Sequence, residues 1–372
     1  MSIVQANKTN LLAWLEGLEK NSPELSQLGL ASAWQAFVGQ NKCPLSVTLT
    51  RQRFGELGED FSGPLAVLFG CPISHSLSPA LHNFFNLGRP SRFGLYLPTQ
   101  VESEGLFRQI LNNWLALPLL GANVTSPFKE WAFRYLLKQG NLSREARLIG
   151  AVNTIYTSGG QIYGDNTDWW GWLASWRHYI REDLAGRHVV VFGAGGAARA
   201  IVYALIRAKV KSITIVNSPQ RGEKLAADFN SWQRREDSGQ VFIPVQSFPV
   251  YSEVVKPGYV YIQATVLGSS AFPNLTPYNW PKSSFYSIQN DTSFYNQSTK
   301  AQAQVVPSAC DLIYNPAQTE FLRLAKESGA KTMNGLGMLI GQAYRSRADF
   351  FALRPSKAEE EEAFNSFTGL YL

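Results

Sequence analysis

The chain has 372 residues, enough for two ordinary domains that each bury a core. It is 45% hydrophobic and 17% charged, the balance of a globular protein, and no stretch reaches the roughly 18 consecutive apolar residues of a membrane span. The net charge of +6 is spread out, without a block of Lys or Arg; this argues against a nucleic-acid partner and suits a small anionic substrate or cofactor. Cys43, Cys71 and Cys310 lie far apart and predict reduced thiols in a cytoplasmic protein, in agreement with a start, MSIVQANKTN, that lacks a basic and then apolar leader. With four histidines, a histidine-based metal centre is poorly supplied, and no metal is expected.

Residues 1–60 form an N-terminal extension of unknown role. Asn10–Leu18 and Ala31–Val38 carry helical apolar patterns and Ser46–Thr50 alternates like a strand, so the segment reads as a packed accessory piece or the remnant of a fused upstream domain. From Leu65 the pattern becomes regular: a strand over Leu65–Phe69, a second over Arg92–Pro98, a helix over Val101–Leu115 and a strand over Leu120–Val124. Such alternation predicts a mostly parallel sheet. Between the first two strands lies GCPISHSLSP, in which Ser76 and Ser78 bring short donors to a helix start, where an anion is favoured. Ser78-Pro79 is equally an ordinary helix cap, and His82 reads as packing or a supporting hydrogen bond.

Gly121 to Glu130 reads GANVTSPFKE. Ser126-Pro127 suggests a helix start and puts Lys129 in the first turn, where the helix dipole opposes a cation by about 0.3–1 kcal/mol. Either the Lys129 stem lies flat with its head in solvent, or a function holds the charge there. Ala151–Thr154 (AVNT) leads into a hairpin turning at Ser158-Gly159-Gly160 and ending in Gly164–Asp168 (GDNTD), and Gly171–Arg181 reads as a helix linking two domains.

His188–Phe192 (HVVVF) then opens a nucleotide-binding pattern of strand, glycine turn (Gly193-Ala194-Gly195-Gly196-Ala197), helix from Ala200 to Ala208, and strand Ser212–Val216. Glycine there admits a pyrophosphate to the helix N-terminus. After the second strand comes Asn217-Ser218-Pro219-Gln220-Arg221, with no acid to bond a 2′-hydroxyl; this favours NADP over NAD, with Arg221 either the 2′-phosphate partner or a solvated helix residue. The stretch 270–296 reads as an inserted loop, and Glu359–Glu362 as a solvated face.

Taken in order, these segments resemble the shikimate dehydrogenase family from about Leu65 to Phe351. The resemblance rests on the N-V-T-x-P-x-K segment with Lys129, the N-T-D segment with Asp168, the S-x-S pair, DLIYNPAQT (residues 311–319) and NGLGMLIGQ (residues 334–342). It implies an α/β protein of two domains around a cleft: a substrate-binding domain from residues 61–172 plus 338–372, whose C-terminal helices return to it, and a Rossmann-like NADP domain from residues 173–337. It also implies a catalytic pair, Lys129 and Asp168. Ser76 and Ser78 would hold a substrate carboxylate, and Thr125, Asn153, Tyr314 and Gln342 would hold hydroxyls. Gly193, Ala194, Gly195, Gly196, Ala197, Asn217, Ser218, Arg221, Leu312 and Gly335 would line the cofactor.

The implied activity is NADPH-dependent, reversible reduction of 3-dehydroshikimate to shikimate by a monomer or homodimer, without metal, membrane or nucleic acid. Quinate or dual quinate/shikimate turnover, NAD use, and a repressor-like protein that binds ligand without turnover are the alternatives. Three places depart from the family pattern. Trp169 replaces the usual Gly and points to a eukaryotic-type branch, Ser218 stands where NADP-specific relatives carry Arg, and YIQATVLG (residues 261–268) stands for an N-A-T-P-x-G-M-like segment.

Overall fold

The computed structural model describes residues 65–73, 76–85, 95–117, 119–235, 241–250, 256, 258–278, 280, 306–351, 356–358 and 361–365. The elements expected within residues 1–60, together with Cys43, Arg92–Gly94 and the end of the 270–296 loop, lie outside the described residues. The chain divides into two compact units, one running up to Thr167 and resuming at Ile340, the other Asp168–Leu339.

The first unit contains β1 (Leu65–Gly70), α1 (Ser78–Phe85), β2 (Leu95–Gln100), α2 (Glu104–Asn112), β3 (Leu119–Val124), α3 (Lys129–Gln139), α4 (Arg144–Ile149), β4 (Thr154–Ser158) and β5 (Gln161–Asp165). Its sheet has the order β2-β1-β3-β4-β5, with β1 parallel to β2 and β3 and the β4–β5 hairpin antiparallel. β1 is buried at every position, as a strand covered on both faces must be, so its sequence is continuously apolar instead of alternating. The helix expected over Val101–Leu115 is shorter. The Ser103 hydroxyl accepts the Leu106 N–H (3.2 Å) and starts it at Glu104, and Asn113 ends it before a tight 3-10 turn at Trp114–Ala116. Phe107 and Trp114 then meet Phe69 edge-on, which fastens this crossover to β1.

The second unit contains α5 (Asp168–Tyr179), β6 (His188–Phe192), α6 (Gly196–Arg207), β7 (Ser212–Val216), α7 (Pro219–Arg235), β8 (Val245–Phe248), β9 (Val260–Gln263), β10 (Ser308–Asp311), α8 (Glu320–Glu327) and β11 (Lys331–Met333), and α9 (Leu336–Phe351) follows. All six strands are parallel, in the order β11-β10-β9-β6-β7-β8. The strand order reverses between β6 and β9, and in such sheets a ligand binds at that point, outside the carboxyl ends of the strands. α5 begins before the expected Gly171, at Asp168, because a carboxylate suits the positive end of a helix.

α9 starts in the second unit and ends in the first, where Phe350 joins the cluster of Ala66, Leu68, Ile73 and Tyr96. Its ring occupies the space that a side chain at Gly121 of β3 would fill. The sequence pattern of helices returning at the C-terminus is therefore realised by a ring against a bare backbone. Gly121→Ala should cost about 1–3 kcal/mol of unfolding free energy through overpacking, measured by chemical denaturation; an unchanged midpoint would show that α9 yields instead.

Candidate active site

In the first unit the expected residues gather beyond the carboxyl ends of β1 and β3. The turn after β1 is tied to the turn after β3: Thr125 N–H donates to the Phe69 carbonyl (2.8 Å), and Cys71 N–H donates to the Ser126 carbonyl (3.1 Å). Ser78 is buried as the first residue of α1, and its N–H donates to the Ser76 hydroxyl (3.2 Å). Ser76 thus supplies, at the helix start, the oxygen that the cap reading assigned to Ser78.

The helix carrying Lys129 starts later than Ser126-Pro127 suggests. Residues 125–128 form a turn closed by Phe128 N–H on the Thr125 carbonyl (3.0 Å), and α3 begins at Lys129 itself. The Ser126 carbonyl is engaged by the β1 turn, so this residue joins two loops and does not cap a helix. Lys129 keeps its place in the first turn, half-buried, against the dipole. Its carbonyl accepts the Val152 N–H (2.9 Å), and this bond fixes the first turn of α3 beside the AVNT segment.

Asn153, the next residue, is buried, and both atoms of its amide bond protein groups. Its Oδ1 accepts the Thr167 N–H (2.8 Å) and the Thr154 hydroxyl (2.8 Å); its Nδ2 donates to Thr167 Oγ1 (3.0 Å) and, at the limit of a hydrogen bond, to Gln342 Oε1 (3.5 Å). Behind it Asn123 Nδ2 donates to the Asn153 carbonyl (3.2 Å), and Asn123 Oδ1 accepts the Tyr96 hydroxyl (2.9 Å). Tyr96 stacks on His82 at 4.0 Å. Burial, and then the nearby Arg347 charge, hold the His82 pKa well below 6.5, so this ring is neutral packing, in line with its expected part. Asn123 and Thr167 lie in the N-V-T-x-P-x-K and N-T-D segments but were given no role from the sequence, nor was Tyr96, although an Asn within the apolar strand LLGANV was a sign that buried partners had to exist.

In the second unit Asp168 is buried at the start of α5, directly after the Thr167 that Asn153 holds. Trp169 beside it is half-buried and meets Tyr203 of α6 edge-on at 5.2 Å. The glycine turn after β6 contains two different constraints. Gly193 has φ 118°, and a Cβ on it would lie 2.8 Å from the Ala264 carbonyl, so the fold itself demands glycine. At Gly195, the residue preceding α6, a Cβ would meet no described atom within 4 Å. Packing among the described residues therefore gives no reason for glycine at 195, whereas the expected phosphate group at the helix N-terminus would. Gly196 opens α6, and Ala194 and Ala197 complete the turn.

At the end of β7, Asn217 Oδ1 accepts the Ser218 N–H (2.8 Å), and α7 starts at Pro219 with Arg221 exposed in a first turn that has no acid. On the other side of the sheet, Asp311 locks the loop that carries Leu312 and Tyr314: its carboxylate accepts the Ile313 N–H (2.9 Å) and the Thr319 hydroxyl (2.6 Å). Burial pushes the Asp311 carboxyl up to about 7, and these two donors pull against the shift. A side chain on Gly335 would overlap the Leu312 carbonyl, so glycine there is explained by backbone packing between two expected cofactor residues. Tyr314 is half-buried. Among the described residues no three His, Cys, Asp or Glu side chains converge to hold a metal ion, and no helix is long and apolar enough to cross a membrane.

A family model, the shikimate dehydrogenase substrate binding domain, matches residues 68–155. The chain is 37% identical over 290 residues to the shikimate dehydrogenase (NADP(+)) of Symbiobacterium thermophilum, covering 75% of this chain and 86% of that one. Its fold is similar to that of shikimate 5-dehydrogenase from Thermus thermophilus in complex with NADP(H) and shikimate, with a TM-score of 0.60 and 29% identity over 82% of this chain and 99% of that one. It is similar also to the ligand-free form of 5-ketofructose reductase of a Gluconobacter species, with a TM-score of 0.61 and 27% identity over 83% of this chain and all of that one. Nothing in these likenesses supports the eukaryotic-type branch expected from Trp169.

The open space at Gly195 gives a direct test. Gly195→Ala should change unfolding free energy by less than about 1 kcal/mol, since φ there is −82° and no clash arises. It should weaken dinucleotide binding at least about tenfold, read by titration of the tryptophan fluorescence. Binding that survives the methyl group would remove the pyrophosphate from this turn.

Proposed function

The chain belongs to the shikimate dehydrogenase family, and on that premise we propose that it reduces 3-dehydroshikimate reversibly to shikimate with NADPH, a step toward chorismate and the aromatic amino acids. The observation that carries this reading is the convergence on Asn153, which draws the start of α3 with Lys129, the N-T-D segment and Gln342 to one buried amide. We assign substrate binding to the unit built on β1 to β5 and dinucleotide binding to the unit built on β6 to β11. We also place the protein in the cytoplasm as a monomer or homodimer.

The substrate carboxylate is assigned to the Ser76 and Ser78 hydroxyls at the start of α1, where the dipole favours an anion. Thr125, Asn153, Tyr314 and Gln342 are assigned to the ring hydroxyls. Bound NADPH supplies the hydride. Negative charge grows on the carbonyl oxygen as the carbon is reduced, and the Lys129 ammonium delivers a proton there. Asp168 orients that ammonium and offsets the α3 dipole, which otherwise drives a cation away. In the reverse direction neutral Lys129 takes the proton from the alcohol. The Gly193 to Ala197 turn holds the pyrophosphate, Asn217, Ser218 and Arg221 the phosphorylated ribose, and Leu312 and Gly335 the other end of the cofactor.

A protein of similar fold is named a 5-ketofructose reductase, so substrate choice is the property to measure first. Absorbance of the reduced nicotinamide, with shikimate and quinate each tested against NADP and NAD, should show turnover of shikimate with NADP. Turnover of quinate alone would shift the reading to quinate dehydrogenase, and binding without turnover would favour a repressor-like protein. Lys129→Ala should lower kcat at least about 10²-fold with little change in KM for shikimate. Near-normal turnover in that variant would end the proton-donor assignment.

Arg221 can pair with a 2′-phosphate, and no carboxylate between Asn217 and Arg221 repels one. Preference for NADP over NAD should be roughly ten- to a hundredfold in kcat/KM, and Arg221→Ala should erase most of it while leaving NAD-dependent activity nearly unchanged. Equal losses with both cofactors would mean that Arg221 only supports the loop.

A further inference from the structure

Gln263 is the last residue of β9 and is completely buried, at 0% exposure. Burying an amide costs free energy unless each of its polar atoms is bonded, and ordering its long side chain costs more; an apolar residue would close the strand at less expense. What the amide accomplishes is local. Oε1 accepts the Thr265 N–H (2.8 Å) and Nε2 donates to the Leu267 carbonyl (2.6 Å), so residues 264–268 curl around the side chain. Thr265 Oγ1 accepts the Leu267 N–H (3.1 Å) and closes the curl a second time.

The loop held in this way lies at the point where the strand order reverses. Ala264 N–H donates to the Phe192 carbonyl at the end of β6 (2.8 Å), and the Ala264 carbonyl is the atom that forces glycine at 193. The Gln263 carbonyl accepts the Leu312 N–H (2.9 Å) beyond β10, and Leu312 in turn abuts Gly335. β9 flanks β6 on the side opposite β7, whose end carries Asn217 and Arg221. A dinucleotide draped over the carboxyl ends with its adenosine ribose at β7 has its other half on the β9 side.

We propose that Gln263 is a positioning residue for the nicotinamide half of the dinucleotide, acting through the 264–268 loop that its amide braces. This rests on the NADP reading above. The side chain itself is fully buried. Its two bonds keep the loop backbone in one shape, so that the cofactor does not have to order the loop on binding. In YIQATVLG (residues 261–268) the buried amide is thus satisfied at both ends.

The test compares NADP with 2′,5′-ADP, which keeps the phosphorylated adenosine half and lacks nicotinamide, by calorimetric titration of the full-length protein. In Gln263→Met, which removes both amide bonds, the Kd for NADP should rise about tenfold while that for 2′,5′-ADP stays within about twofold. Gln263→Glu keeps the acceptor for Thr265 but sets two oxygens against each other at Leu267, and should show the same split. Thr265→Val loosens the loop from outside the buried strand and should do so to a smaller degree, which covers the case in which changes at 263 impair folding. Unchanged NADP affinity in a folded Gln263 variant would overturn the proposal, as would equal weakening of both ligands. If the unmodified protein binds neither ligand, the cofactor reading itself fails; if it binds 2′,5′-ADP as tightly as NADP, that reading stands and only the role of Gln263 falls.

Discussion

The structure of the first unit depends on one buried amide. Asn153 accepts two hydrogen bonds and donates two, from a position where an unpaired amide atom would cost about 1–3 kcal/mol. Every partner is therefore held to it. Thr167 sets the residue before Asp168, Thr154 begins the hairpin, Gln342 arrives on α9, and the neighbouring Val152 takes the Lys129 carbonyl. Asn123 of β3 donates to the Asn153 main-chain carbonyl and is itself held by Tyr96 of β2, so the node is braced by the sheet. An arrangement of this kind fixes several side chains around one point on rigid elements.

Helix ends supply the electrostatics. Lys129 and Asp168 each stand at the first position of a helix, α3 and α5, and the dipole treats them oppositely. The carboxylate is stabilised there and the ammonium is not. A lysine in that place is hard to account for by stability alone, because Glu130 already provides the acid that a helix start prefers. The same dipole logic underlies the proposed placing of an anion at the start of α1 and of α6.

In the second unit, backbone contacts organise the crevice. Gly193 against Ala264, Leu312 N–H on the Gln263 carbonyl, and Gly335 against Leu312 form a line across the carboxyl ends of β6, β9 and β10. Asp311 and Thr319 tie off the far loop. Gly195 is the exception in this line, since no described atom of the protein occupies the space beside it.

Much of this architecture was legible in the sequence, because it depends on local periodicity and turn chemistry. The strands His188–Phe192 and Ser212–Val216 appear with the expected limits, the Gly159-Gly160 turn closes its hairpin, and the order of strands and helices defines two α/β units. Helix limits were less legible. Ser126-Pro127 has the composition of a helix start, yet the Ser126 carbonyl is claimed by Cys71, far away in the chain, and the helix begins at Lys129 instead. The sequence alone determined the alternation of elements, the glycine turn, the absence of an acid after β7 and the motifs that carry the family resemblance. Only the tertiary structure decided which buried amide bonds which partner, why Gly193 and Gly335 are imposed by the fold while Gly195 is not, and how Gln263 is satisfied at the buried end of β9. The physical reason is that hydrogen bonds and close contacts are satisfied between residues as far apart as Asn153 and Gln342, and no local pattern encodes a partner at that distance.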